Sequence, residues 1–216
     1  DTLSRCKNMR LSEYAMMGSP ELGENMYAAF SKGADVVFLE NHGVCVGGGN
    51  LLAAYQLLET IEYAAKLDLL SRKLSDPRKV TQEQLSFWDA RTAPETRTQQ
   101  CAAGEKESEI RAEMLQKLRR GCEHALLLGS LGVCSARVDA QSFLITPDGM
   151  DNALLEAEDL VLVRDGKPEA DKQPARETAL HAEIYARHAE INAVFSAAPA
   201  HVAAFMSAGA PFETST

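Results

Sequence analysis

The chain has 216 residues, 45% of them apolar, enough to fill the core of one ordinary domain or two small ones. Its 31 acidic against 22 basic residues give a formal charge of −9, which repels a phosphate backbone and argues against nucleic acid as a partner. No apolar run approaches the roughly 20 residues that span a bilayer, and no basic start leads into an apolar signal core, so no membrane partner is expected and a cytoplasmic location is the default.

From Ser19-Pro20-Glu21 onward, Leu22, Met26, Ala29 and Phe30 recur at helical spacing, with Ser19 as N-cap and Pro20 at the first helical position. This helix should end at Gly33, and the run Ala34 to Leu39 is then a buried strand. Asn41-His42-Gly43 interrupts the extended pattern, which Val44-Cys45-Val46-Gly47 resumes. Leu51, Ala54, Tyr55, Leu58, Ile61, Glu62, Ala65 and Leu69 then mark a long amphipathic helix. Residues 71–105 are rich in Ser, Thr, Gln, Pro and charge, and read as a linker with a short helix from about Gln82 to Ala90.

Beyond the linker a helix starts near Glu107, with Ile110, Met114, Leu118 and Cys122 on one face. Strands at Val133–Val138 and Ser142–Ile145 flank the polar Asp139-Ala140-Gln141, which reads as a hairpin turn, and Thr146-Pro147-Asp148-Gly149 is a second turn. A strand at Leu160–Val163, a helix from Glu177 to His188, a strand at Ala193–Phe195 and a helix from Ala200 to Ala208 complete the pattern. Cys6, Cys45, Cys101, Cys122 and Cys134 are odd in number and scattered, and read as reduced core thiols instead of a disulfide frame or zinc cluster.

Phe38-Leu39-Glu40-Asn41-His42-Gly43-Val44, an apolar strand ending in Asn-His-Gly before a long helix, resembles the closing half of a class II aldolase/adducin domain, as does Ser19-Pro20-Glu21-Leu22. The second half is similar to the opening of the same domain: helix 107–128, Gly132 to Arg137, Leu144 to Gly149, and Pro174-Ala175-Arg176-Glu177 leading a helix with His181 and Tyr185. The resemblance implies an α/β fold of three layers, α/β/α, with a mixed and largely antiparallel sheet flanked by helices. The halves come in reversed order, which gives an organisation of 1–70 as a closing half, 71–105 as linker and 106–216 as an opening half. The chain starts at Asp1, and Glu213-Thr214 resembles Asp1-Thr2, so the simplest expectation is an excerpt of a tandem protein holding the end of one repeat and the start of the next; a circular permutant is the rival account.

What the family implies chemically is a divalent metal, usually zinc, held by a His-x-His pair, by the His of Asn-His-Gly and by a Glu that also moves protons. Residue by residue, His42 keeps the last imidazole and Glu177 keeps the acid, as metal ligand and catalytic group. The His-x-His pair is missing: where Asn192-Ala193-Val194-Phe195 leads up to it, Ser196-Ala197-Ala198 follows, and His201 further on is not expected to replace it. The implied substrate-phosphate site retains Gly132, Ser135, Thr146 and Gly149, with Val133 replacing an Asn, Asp148 adding a negative charge, and Ala175-Arg176 replacing two serines, of which Arg176 could bind an anion.

Plainer readings stand beside these. His42 could be a satisfied core histidine, Glu177 could be held by the helix dipole, and His124, His181 and His188 read as surface or packing residues. The functional expectation is a metal-dependent, aldolase-like lyase acting on a small hydroxy-carbonyl or sugar-phosphate-like substrate. Its site is incomplete in this chain, and it assembles as a homo-oligomer or with the rest of a tandem protein. The alternatives are a non-catalytic, adducin-like scaffolding domain, which needs no metal, and a pentulose-phosphate 4-epimerase-like enzyme, which needs the same missing histidines.

Overall fold

A computed structural model describes residues 8–81, 83, 84, 86 and 104–212, which divide between two compact units, 1–86 with 204–216 and 87–203. In the first unit, β1 (Met9–Ser12) pairs in parallel with β2 (Val36–Leu39), from Met9 opposite Val36 to Ser12 opposite Leu39. The parallel pairing needs a crossover, and α1 (Pro20–Ser31) supplies it. Ser19 caps this helix by accepting the Leu22 N–H at 3.2 Å, and Pro20 sits where a missing N–H costs nothing. Antiparallel β3 (Gly43–Val46) follows β2 through a tight corner in which Asn41 has φ 58° and Gly43 φ 144°.

The long helix α2 (Leu51–Leu74) starts from Asn50, whose side chain accepts the Ala53 N–H at 2.8 Å. The backbone of its first turn approaches Gly48 so closely that a Cβ there would lie 2.5 Å from the Ala54 nitrogen. The core beneath is small: Val36 and Ile61, with Val44, Val46 and Leu57 half-buried against them.

The second unit begins with α3 (Glu105–Glu123) and continues through β4 (Val133–Arg137), β5 (Ser142–Ile145), β6 (Val161–Arg164), β7 (Lys167–Pro168), α4 (Thr178–Arg187) and β8 (Ala193–Ser196). Its five strands form one antiparallel sheet in the order β7-β6-β5-β4-β8. Successive strand residues face opposite sides, and both sides are apolar. Cys134, Leu144 and Leu162 join Met114, Leu115 and Leu118 of α3, whereas Val133, Phe143, Ile145, Val161 and Val163 join Ala175 and Tyr185 on the α4 side. Here the three-layer α/β/α arrangement is realised. The helix α5 (Ala200–Ala208) closes the order of elements.

One buried polar knot ties α3 down. Arg111 donates to Glu107 at 2.6 and 2.9 Å and to the Ala157 and Leu160 carbonyls at 2.7 and 2.6 Å, and Glu169, paired with Lys172 at 2.9 Å, accepts the Leu162 N–H. Each buried charge is therefore matched, as burial requires.

The strands thus lie in two sheets, one per unit. Neither β1 nor the two-residue β7 is foreshadowed by the sequence pattern. Helix α2 runs on to Leu74, α3 begins at Glu105 and ends at Glu123, and of the short helix expected over Gln82–Ala90 only Glu83, Gln84 and Ser86 are described, all helical. Among the described residues no helix is long and apolar enough to cross a membrane. Cys45, Cys122 and Cys134 are free thiols, and burial pushes that of Cys134 up to about 12; Cys6 and Cys101 lie outside the described residues.

Candidate functional site

In the first unit the corner between β2 and β3 holds His42, half-buried. Its Nε2 lies 2.7 Å from the Ala15 carbonyl and its ring stacks on Tyr14 at 5.2 Å. The Tyr14 N–H in turn reaches Glu40 Oε2 at 3.0 Å, which binds the 14–15 segment to the corner. A carbonyl only accepts, so Nε2 carries a proton, and in the neutral ring Nδ1 keeps its lone pair, the arrangement by which an outer partner orients a ligating imidazole.

In the second unit the turn after β5 and the segment leading into α4 run side by side, through a bridge between Pro147 and Pro174. The Thr146 carbonyl accepts the Ala175 N–H at 3.0 Å, and Asp148 N–H donates to the Gln173 carbonyl at 2.9 Å. This brings Thr146, Gly149, Arg176 and Glu177 into one neighbourhood. Thr146 is buried, its hydroxyl 3.4 Å from the Cys134 N–H. Gly149 is exposed with φ +72°, a conformation that suits glycine. Arg176 lies 3.5 Å from Asp148, a half-exposed pair that moderates the positive charge an anion would meet. Glu177 is the N-cap residue of α4, but its side chain makes no capping bond.

Behind this neighbourhood runs a buried hydrogen-bond chain. His181 is fully buried, with Nε2 2.8 Å from Ser196 Oγ and Nδ1 2.7 Å from Ser135 Oγ, and Ser135 is itself 2.8 Å from the Tyr185 hydroxyl. A neutral imidazole satisfies this set: Nε2–H donates to Ser196, Ser135 donates to Nδ1, and the Tyr185 hydroxyl donates to Ser135. Burial accordingly lowers the His181 pKa and raises that of Tyr185. Arg137 closes the far end, donating to the Tyr185, His188 and Ile191 carbonyls at 2.9, 3.1 and 3.1 Å with its guanidinium 4.7 Å from the Tyr185 ring. Ser135 is therefore turned inward, into the chain and not toward solvent.

The family model described as Class II Aldolase and Adducin N-terminal domain matches residues 2–69 and 112–214. The chain belongs to that family. Similar solved structures are YgbL from Klebsiella pneumoniae (25% identity, TM-score 0.42, covering 44% of this chain and 47% of that one), YgbL from Escherichia coli (24%, 0.40, 42% and 44%) and L-fuculose-1-phosphate aldolase from Thermus thermophilus (26%, 0.36, 42% and 46%). The chain thus spans less than half the length of these structures. No protein with a curated description matches.

Class II aldolases generally use a divalent metal. His42 and Glu177 fall in different units, and among the described residues no three of His, Cys, Asp and Glu gather where they could hold an ion. At the place where the family resemblance puts the first imidazole of the pair, Ser196 offers a hydroxyl already bonded to His181, and Ala197 and Ala198 offer no donor. Sequence reading sees His181 as a surface or packing residue and gives Ser196 no role. The one available signal is the four-residue spacing of His181 and Tyr185, which puts both on one face of α4 toward the inward face of β4.

Proposed function

We propose that residues 106–216 are the opening half of a class II aldolase-type repeat whose chemistry is lost, and that aldolase-like lyase activity on a small hydroxy-carbonyl or sugar-phosphate-like compound belongs to the repeat of which His42 is part. In this reading the chain carries the closing part of one repeat and the opening part of the next. His42 is the one metal ligand it contributes to the first repeat, and Glu177 is a retained acid in the second whose metal partners are gone. Thr146, Gly149 and Arg176 are remnants of an anion-binding corner, and Ser135 has been absorbed into the interior. An epimerase is disfavoured by the same missing histidines.

The observation that carries this reading is the contact between His181 and Ser196: a fully buried imidazole and a hydroxyl satisfy each other where the family's chemistry needs an open metal position. The support for His42 is its Nε2 bond to Ala15, which leaves Nδ1 available.

The test is zinc content of the whole chain after dialysis, with a retro-aldol assay on L-fuculose 1-phosphate as probe. Substoichiometric zinc and no cleavage are expected. Stoichiometric zinc lost on His42→Ala, or cleavage lost on Glu177→Gln, would overturn the proposal.

A further inference from the structure

The N–H groups of Arg137 are unevenly used. Nε donates to the Ile191 carbonyl and Nη2 to those of Tyr185 and His188, whereas among the described residues Nη1 has no partner. Nη1 is not buried either, so its two N–H groups are open to solvent. No carboxylate among the described residues lies within ion-pair distance of this guanidinium: Glu190 is bonded to His188 at 3.0 Å and Asp139 to Arg164 at 3.3 Å. Three carbonyls and the Tyr185 ring fix the cation, and its free edge is a preorganised donor for an anionic oxygen.

Arg137 lines a groove of about 480 Å³ between the β4–β5 hairpin and α4. The groove lies at the hairpin end of these strands, whereas Thr146 follows the other end of β5, so it is separate from the corner that gathers Arg176 and Glu177. Its apolar lining includes Phe143, Ala182 and Ala186, the last two one turn of α4 apart, and its polar lining includes Gln141 and Glu183. Glu183 receives Arg187 on Oε1 alone, in an exposed pair of the kind that holds little, and its Oε2 is open. With Arg137, Asp139 and Glu183 the groove carries one positive and two negative charges, so a simple anion gains little there and a phosphate less. A molecule with both signs of charge on an apolar body matches the lining.

We propose that this groove binds an apolar α-amino acid, with its carboxylate on Arg137 Nη1, its ammonium on Glu183 and its side chain against Phe143, Ala182 and Ala186. The apolar surface supplies the contact area, and the two opposed charges fix the orientation. Neither the acid nor the amine alone satisfies both ends.

Amide shifts of the ¹⁵N-labelled whole chain, titrated with L-phenylalanine as probe, test this. Saturable shifts at Gln141, Phe143, Gly166 and Ala182 are expected, with a Kd of about 1 mM or tighter. 3-Phenylpropanoate, which lacks the ammonium, and 2-phenylethylamine, which lacks the carboxylate, should each bind at least about tenfold more weakly. Glu183→Gln should weaken L-phenylalanine several-fold and bring it close to 3-phenylpropanoate, and Arg137→Gln should abolish saturable binding. Arg137 also holds the end of α4, so Ala186→Leu keeps the test open should Arg137→Gln fail to fold: Ala186 is exposed, leucine is a strong helix former, and its side chain fills the groove. Far-UV circular dichroism checks both variants. No saturable shift up to about 10 mM L-phenylalanine, equal affinity for L-phenylalanine and 3-phenylpropanoate, or unchanged affinity in Ala186→Leu overturns the proposal.

Discussion

The two sheets of this molecule are made from similar strands, yet they are buried very differently. In residues 104–203 the apolar residues of β4, β5 and β6 alternate between two core clusters, one on the α3 side and one on the α4 side, so both faces of the sheet are covered. In the first unit, among the described residues, the core cluster under the three-stranded sheet is Val36 and Ile61 with Val44, Val46 and Leu57 half-buried against them, Val37, Leu22 and Ala34 are buried outside it, and the principal helix shows much of its apolar surface to solvent. Burial of apolar area is what offsets chain entropy, so the second unit should hold its structure far more firmly than the first.

Native-state hydrogen exchange can break or sharpen that comparison, because it reads the opening of each unit separately. Leu144 is fully buried between α3 and the sheet, and Leu144→Ala should lower the protection of β4 to β6 by about 2–5 kcal/mol. Ile61→Ala, at a site with fewer packed neighbours, should lower that of β2, β3 and α2 by about 2 kcal/mol, the bottom of the same range. Equal losses at the two positions would show the first unit to be as well packed as the second.

Titration separates the units by a different route. The folded second unit depresses the pKa of His181 through burial, so below the ordinary histidine value of about 6.5 the unfolded chain binds a proton that the folded chain resists. Stability contributed by neutral His181 is complete above that value and is lost as pH falls toward the depressed folded pKa, with a slope approaching about 1.4 kcal/mol per pH unit. Protection of β4 and β8, both anchored to His181 through Ser135 and Ser196, should therefore fall between neutral and mildly acidic pH, and His181→Gln should flatten that slope. The half-buried His42 lies in the first unit, where no such step is expected from His181. A pH-independent second unit would mean that the buried chain is held by something other than the neutral imidazole.

Much of the fold is legible in the residues, because much of it is local. Ser19-Pro20 announces α1, the alternating runs around Asp139-Ala140-Gln141 announce the hairpin of β4 and β5, and the small-residue run Ala200–Ala208 announces α5 at its observed bounds. Strand β1 is different: Met9-Arg10-Leu11-Ser12 alternates over four residues only, with Met9 and Leu11 exposed and Ser12 buried, and it is a strand because β2 pairs with it across 27 positions. The candidate site divides in the same way. Asn41-His42-Gly43 is a short string whose corner is written in its own residues, while the chain joining Ser135, His181, Tyr185 and Ser196 exists only once β4, α4 and β8 have come together. A hydroxyl in a strand and an imidazole in a helix carry no mark of such a partnership until the sheet register, Ser135 opposite Val194 and Val133 opposite Ser196, places them.

The smallest effect asks how far the first unit depends on local structure. Asn50 satisfies the Ala53 N–H at the start of α2, one of the four donors a helix leaves open, and Asn50→Ala should cost about 1 kcal/mol. In a helix that buries so few residues that loss has little packing to absorb it, so exchange of the amides at 51–54 should quicken roughly fivefold while α3 and α4 are unaffected. Asn50→Asp should keep the protection, since a carboxylate accepts the same N–H and sits well at the positive end of the helix. If Asn50→Ala leaves residues 51–54 as protected as before, the start of α2 is held by contacts beyond its own cap, and the contrast between a sealed unit and an open one is weaker than the burial pattern implies.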